Sequence, residues 1–253
     1  MLAPTNKMAI EASWSFFRGN YALHFGVIAI LIVCNLLGML PIIGLLFIFA
    51  YSILSLAVQI YFGRVVMEAS SLEDVEAQAA QSRIGDLLTA YLQTAAGAFL
   101  ALFLIALVFF FLMGLVISAS VDFEQLENGA MMQAQMMGML STGGFMGLLI
   151  IFVGMFLFYF FPAVLGEVFK TDDFGTAFKR VFLLFSPAFW KRCFNKEYMI
   201  LIIIWSLIIL VAGIVMVLLA GTLILLPVVL VLAYLLSLYN AAIYVFAAEL
   251  AKE

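Results

Sequence analysis

The sequence predicts an all-α fold: a polytopic six-helix transmembrane bundle made of three hairpins, each preceded by an amphipathic interfacial helix. Three observations carry that prediction. First, 67% of the 253 residues are hydrophobic and only 10% charged, with a mean hydropathy of +1.25. A soluble domain is roughly 45–50% apolar and about 25% charged, and a chain this long has no core large enough to hide the surplus, so its solvent is lipid. Second, four intervals, 19–63, 87–121, 128–166 and 198–248, contain no Asp, Glu, Lys or Arg. Third, the basic residues all fall on one side of the path those intervals define.

The intervals hold 45, 35, 39 and 51 residues. A membrane helix needs about 20 apolar residues to cross a hydrocarbon core of roughly 30 Å. The longest two runs would reach about 67–77 Å as straight helices, so each folds back on itself. Gly38-Met-Leu-Pro41-Ile-Ile-Gly44 breaks the first run, and Ala220-Gly221-Thr222 followed by Pro227 breaks the last. Six spans result, near 21–39, 43–66, 88–118, 144–168, 198–219 and 223–248, and residues 1–253 read as a single integral membrane domain. The third is longer than one crossing requires, so Leu88 to Thr94 is expected to project or tilt. The first apolar segment starts near Tyr21, lacks a small-x-small cleavage site and runs directly into a second span, unlike a signal peptide.

Orientation follows from charge. Lys7 and Arg18 precede the first span, Arg64 and Arg83 lie between the second and third, Lys170, Lys179, Arg180, Lys191, Arg192 and Lys196 lie between the fourth and fifth, and Lys252 is terminal. With six spans all eleven share one side, which the positive-inside rule makes cytoplasmic, with both termini inside. The opposite loops carry only Asp122, Glu124 and Glu127.

The cytoplasmic joints are amphipathic. NKMAIEASWSFFRGNY, from Asn6, places Ile10, Trp14, Phe17 and Tyr21 on one helical face, with Lys7, Glu11 and Arg18 elsewhere. In the segment from Thr171 to Trp190, Thr171-Asp172-Asp173 supplies N-cap chemistry. There Phe174, Ala177, Phe178, Val181, Phe182 and Phe185 form an apolar stripe. A weaker version lies at Arg83 to Tyr91. Such helices bury aromatic rings at the acyl boundary while basic residues meet anionic headgroups, so Trp14, Phe17, Arg18, Phe178, Lys179, Arg180 and Trp190 are the expected interfacial lipid contacts. The three amphipathic-helix-plus-hairpin units are either an internal triplication or the common outcome of interfacial helices at inner joints. Small-residue faces at Ala22/Gly26/Ala29, Gly143/Gly147/Gly154 and Ala233/Ser237/Ala241 are the candidate helix contacts.

With FFRGN near its start and FGTAFKRVFLLFSPAFW before its last hairpin, the chain resembles small bacterial six-helix inner-membrane proteins of the YciC type. It is also similar to a membrane domain that accompanies some glycerophosphodiester phosphodiesterases. The resemblance covers most of the chain but rests on layout and apolar pattern. It implies a bacterial inner-membrane protein concerned with envelope or lipid homeostasis, and it carries over no functional residues.

Candidate chemistry is sparse. His24 is the one histidine, and Cys34 and Cys193 are the two cysteines, so haem, thiolate clusters and nucleic-acid binding lack raw material. Within the uncharged intervals only His24 titrates near neutrality. It lies within a turn of the first span's inner end, where a structural or headgroup-level role outweighs proton handling. Amides in spans seek partners on neighbouring helices; if the bundle holds a ligand, Asn35 and Asn240 are the candidate polar pair. Met131, Met132, Met136, Met137 and Met139 form a soft-ligand cluster that suits Cu(I) but equally serves as apolar filler; filler is the favoured reading, so no metal or cofactor is expected. GGFMG at Gly143 to Gly147 lacks the Lys-Ser/Thr of a nucleotide loop. Pro162 is expected to kink the fourth span, and Pro227 is nearly free at the start of the sixth.

The expected function is therefore non-enzymatic: a bacterial inner-membrane scaffold or accessory factor in envelope or lipid homeostasis, whose partners are membrane lipids and other membrane proteins. The alternative is a permease-like transport component for an apolar or lipid-like solute, with segment 171–196 docking a cytoplasmic ATPase.

Overall fold

A computed structural model describes residues 2–120, 144–222 and 225–252. Among them the chain is helical, with no strand. The elements in order are α1 (Asn6–Gly19), α2 (Tyr21–Leu37), α3 (Gly44–Glu68), α4 (Leu72–Gln81), α5 (Ile84–Thr89), α6 (Leu92–Ser120), α7 (Gly144–Phe169), α8 (Phe174–Val181), a 3-10 turn (Phe182–Phe185), α9 (Pro187–Cys193), α10 (Lys196–Ala220) and α11 (Leu226–Leu250). Among the described residues five helical stretches are long and apolar enough to cross a membrane, and the pair α1 and α2, bent by 97° at their junction, makes a sixth if taken together. The described residues thus form an all-helical, membrane-embedded protein with five to six such spans.

Local chemistry explains the boundaries. Thr5 caps α1 by accepting from the Met8 amide at 3.2 Å, and Asn20 caps α2 from Leu23 at 3.1 Å. Asn20 is therefore the corner where the amphipathic helix ends and the apolar one begins. Asn195 accepts from the Tyr198 amide at 2.8 Å and starts α10 two residues before the expected span. The expected long third span is interrupted: α5 ends at Thr89 and α6 starts at Leu92. Sequence periodicity missed α4 altogether. Its start is a capping box in which Ser71 and Asp74 satisfy each other's backbone amides, and Val75 and Ala79 turn inward. Pro162 lies inside α7, which continues past it as one helix, and Pro227 lies in the first turn of α11.

The hairpin between α2 and α3 is tight. A Cβ on Gly44 would stand 2.3 Å from the Gly38 carbonyl oxygen, and Ile42 adopts φ 69, a region that a β-branched residue enters only under strain. Replacing Ile42 by Gly is expected to stabilise the protein by about 1 kcal/mol. Thermal unfolding in detergent measures it; a lowered midpoint would contradict the assignment of strain.

The described chain forms two compact units, residues 1–99 with 160–253, and residues 100–159. In the larger unit α11 is the central helix, packed against α1, α2, α3 and α10. From Leu238 onward it is almost wholly buried. Backbone approaches make that possible: Gly166 of α7 lies so close to Tyr244 that a Cβ there would stand 1.9 Å from its carbonyl oxygen, and Gly63 of α3 receives the Phe169 ring. Toward the hairpin turns the same helices expose Leu46, Val217, Leu218 and Val228. Apolar surface this extensive matches a lipid solvent. In the smaller unit Phe110, Phe111, Phe152 and Met155 are likewise exposed, and a Cβ on Gly154 would stand 3.4 Å from the tip of the Phe109 ring.

Two of the expected small-residue faces are corrected. Gly26 does accept a neighbour, the Ile84 side chain, but Ala22 and Ala29 are exposed. Of Ala233, Ser237 and Ala241 only Ala241 is buried, and Ala233 is exposed. The close contacts fall instead at Gly63, Gly97 and Gly166, where a large partner or a carbonyl sits directly over the missing Cβ. Gly143 lies outside the described residues.

Candidate functional site

The expected interfacial segment 171–190 is built on a polar joint. Arg64 of α3 donates to the Thr171 carbonyl at 2.9 Å and to Asp172 Oδ1 at 2.7 Å, and its guanidinium lies 5.3 Å from the Tyr91 ring centroid. Thr94 Oγ1 donates to the same carbonyl at 3.1 Å. These bonds satisfy a carbonyl two residues past the end of α7, while the Lys170 and Thr171 amides turn back to the Glu167 and Val168 carbonyls of the helix end. Asp173 then accepts from the Thr176 amide at 2.8 Å and opens α8. The Thr176 side chain, and then its amide, hold the Asp173 carboxyl below its ordinary value. Gly97 fits beneath the joint because a Cβ there would stand 2.2 Å from the Phe174 carbonyl oxygen.

From this fixed start α8 divides its residues by face. Ala177 and Val181 are buried, whereas Phe174, Phe182 and Phe185 are exposed and Phe178 is half-buried between them. The rings follow one another at centroid distances of 6.4, 5.4 and 6.5 Å from Phe174 to Phe178, Phe182 and Phe185. The expected single apolar stripe is thus a small inward seam plus an outward aromatic ridge. Ser186 caps α9, Cys193 is buried and its thiol is pushed up to about 12 by burial, and Asn195 donates to the Leu250 carbonyl at 2.9 Å. That last bond ties the segment to the end of α11.

The cations around the ridge differ in state. Arg180 reaches Glu167 at 3.3 Å, and Lys170 pairs with the same carboxylate. Lys179, Lys191, Arg192 and Lys196 are exposed and belong to no ion pair among the described residues. Exposed aromatic rings and exposed cations in one segment suit the boundary between acyl chains and phosphates.

Not every expected lipid contact points outward. Trp14 is 48% exposed, but Phe17 is 3% exposed and packs on the His24 ring at 5.3 Å. Arg18 pairs with Glu76 of α4, the helix that sequence reading missed. Trp190 donates to the Leu184 carbonyl at 2.8 Å and stacks on Phe160, which makes it a packing residue. Phe178, Lys179 and Arg180 remain on the outer surface, with Phe178 partly covered.

His24 does not reach headgroups. It is fully buried, with Nδ1 2.8 Å from Tyr234 Oη and Nε2 2.8 Å from the Phe16 carbonyl oxygen, so both nitrogens serve to join α1, α2 and α11. The expected pair of Asn35 and Asn240 is not brought together at one site. Asn240 Oδ1 accepts from Trp205 Nε1 at 2.9 Å. Asn35 is exposed and lines a small recess of about 100 Å3 with Tyr51, Ser55, Tyr234 and Ser237, and Asn240 does not line it. Among the described residues no three His, Cys, Asp or Glu side chains are placed to hold a metal. The methionines at 131–139 lie outside the described residues.

Comparison with protein families, curated proteins and solved structures found no match.

What sequence reading missed most at this site is Asn6. Its amide donates to the Leu201 carbonyl at 3.1 Å and accepts from Tyr239 Oη at 2.5 Å, fixing α1 between α10 and α11. A buried amide near an N-terminus carries no pattern of its own; only the partners 195 and 233 residues away reveal it.

Proposed function

We propose that this chain is a non-enzymatic bacterial inner-membrane protein, with both termini cytoplasmic, that acts as a scaffold or accessory factor in envelope or lipid homeostasis by holding anionic lipid on its inner layer. The observation that carries the reading is the outward ridge Phe174–Phe178–Phe182–Phe185 in the same segment as the exposed Lys179, Lys191, Arg192 and Lys196. A basic side chain near an anionic surface contributes about 1 kcal/mol at moderate salt, so four of them add up to a marked preference. The resemblance in layout to small bacterial six-helix inner-membrane proteins points the same way.

Native mass spectrometry of the detergent-purified chain tests it. Anionic phospholipid is expected to remain bound, and changing Lys179, Lys191, Arg192 and Lys196 together to Gln is expected to reduce the retained fraction about tenfold or more. Undiminished retention in that variant contradicts the reading. A copurifying ATPase whose turnover the chain stimulates would instead favour a permease-like component.

A further inference from the structure

A second surface differs from the ridge in both shape and charge. Between α1, α10 and α11 runs an open groove whose inner part, about 610 Å3, is walled by Trp14, Leu207, Val211, Val215, Leu232 and Leu236 among others. Ile10 and Ile208 also line a neighbouring recess of about 870 Å3. That recess reaches Thr5, Lys7, Glu11 and Glu197. Two of the three polar side chains along the inner part are already satisfied by the protein: Ser13 Oγ donates to the Ala9 carbonyl at 2.7 Å, and Tyr239 Oη donates to Asn6; the third, Trp14, is 48% exposed. Apart from the Trp14 indole N–H, an occupant of that stretch meets only apolar or already bonded groups, which suits a hydrocarbon chain.

The mouth asks for something else. Lys7 is highly exposed and stands 3.8 Å from Glu11, while the exposed Glu197 has no ion-pair partner among the described residues. Two carboxylates against one ammonium repel a purely anionic headgroup. They match one that carries both a phosphate, for Lys7 and the Thr5 hydroxyl, and a primary ammonium, for Glu197 and Glu11. Length fits as well. From Ile200 to Val215 the α10 wall runs about 22 Å at 1.5 Å per residue, enough to receive an acyl chain through one leaflet of roughly 15 Å.

We infer that this groove binds one phospholipid with a phosphoethanolamine headgroup, its head at Lys7, Glu11 and Glu197 and one tail along α10 and α11 beside Trp14. The site rests on the reading of the chain as a lipid-holding membrane protein, but it selects a different headgroup from the ridge, so the two can fail separately.

Trp14 supplies the readout, as the difference between wild type and Trp14→Phe. The full chain is reconstituted in phosphatidylcholine vesicles, whose trimethylated head offers no N–H donor. Brominated-tail phosphatidylethanolamine or brominated-tail phosphatidylglycerol is added at equal mole fraction. Bulk bilayer contact quenches equally in both. The groove predicts Trp14 quenching about threefold greater with the ethanolamine lipid. It also predicts that Glu197→Lys abolishes or inverts the preference, and that Ala212→Phe, which fills the groove wall, removes the excess quenching. Equal quenching by the two lipids in the wild type, or stronger quenching by phosphatidylglycerol, overturns the inference, as does a preference that survives both substitutions. An intact ethanolamine preference alongside failed anionic-lipid retention overturns the ridge reading and leaves the groove standing.

Discussion

Replacing Gly166 by Ala is expected to cost about 3 kcal/mol, a large part of the 5–15 kcal/mol that typically holds a domain together. The added methyl would stand 1.9 Å from the Tyr244 carbonyl oxygen and 2.6 Å from the Ala248 side chain. Neither is the tip of a flexible chain, because Tyr244 offers backbone and Ala248 has no rotamers to move through. α7 and α11 must therefore separate at this point, and the buried run of α11 from Leu238 to Leu250 loses its backbone contact with Gly166. Gly213 is the matched control: nothing lies within 4 Å of a Cβ there, so Gly213→Ala is expected to change stability by less than about 1 kcal/mol. Denaturant or thermal unfolding of the purified variants separates the two, and equal effects would contradict the backbone-to-backbone packing.

The second large effect is expected at Arg64. Its guanidinium holds the Thr171 carbonyl and Asp172 at once, so Arg64→Leu releases the joint from which α8 starts. Removing one partner of a well-buried ion pair costs 3–5 kcal/mol, but Asp172 is 80% exposed. Screening there, together with relief of the buried Nε that has no partner among the described residues, reduces the expected loss to about 2 kcal/mol. Arg64→Lys restores little, because a single ammonium cannot reproduce the planar fork over Tyr91. Faster tryptic cleavage at Lys179 and Arg180 reads the loosening directly; unchanged cleavage in Arg64→Leu would contradict the role assigned to the joint.

These two residues mark where sequence reading stops. The spans were legible because uncharged length alone decides whether a segment crosses a membrane, and the start of α8 because Asp173 is a capping residue next to an apolar run, whereas the caps Thr5, Asn20 and Asn195 emerge only from the structure. Which glycine meets a neighbouring backbone was not legible. A helix that is apolar all round has no amphipathic face to orient it, so Gly166 and Gly97 looked no different from Gly213. The same lack of periodicity misplaced the amide pair: Asn240 went to Trp205 of α10, and Asn35 to an open recess. Helix α4 was overlooked because its capping box lies in a short polar joint, where two inward residues, Val75 and Ala79, give too little pattern. Phe17 shares the Trp14 face yet is buried, because periodicity defines a face without saying which side of it the bundle occupies.

The account depends above all on which side of the membrane the basic aromatic layer faces. Single cysteines at Met39, Thr222, Ser70 and Thr176, placed one at a time in a Cys34→Ala, Cys193→Ala background and probed in intact bacteria with a membrane-impermeant maleimide, measure this directly. The account predicts labelling from outside at the hairpin positions 39 and 222, and labelling at 70 and 176 only after the membrane is opened. External labelling at Ser70→Cys or Thr176→Cys, or positions 39 and 222 on opposite sides, would contradict it.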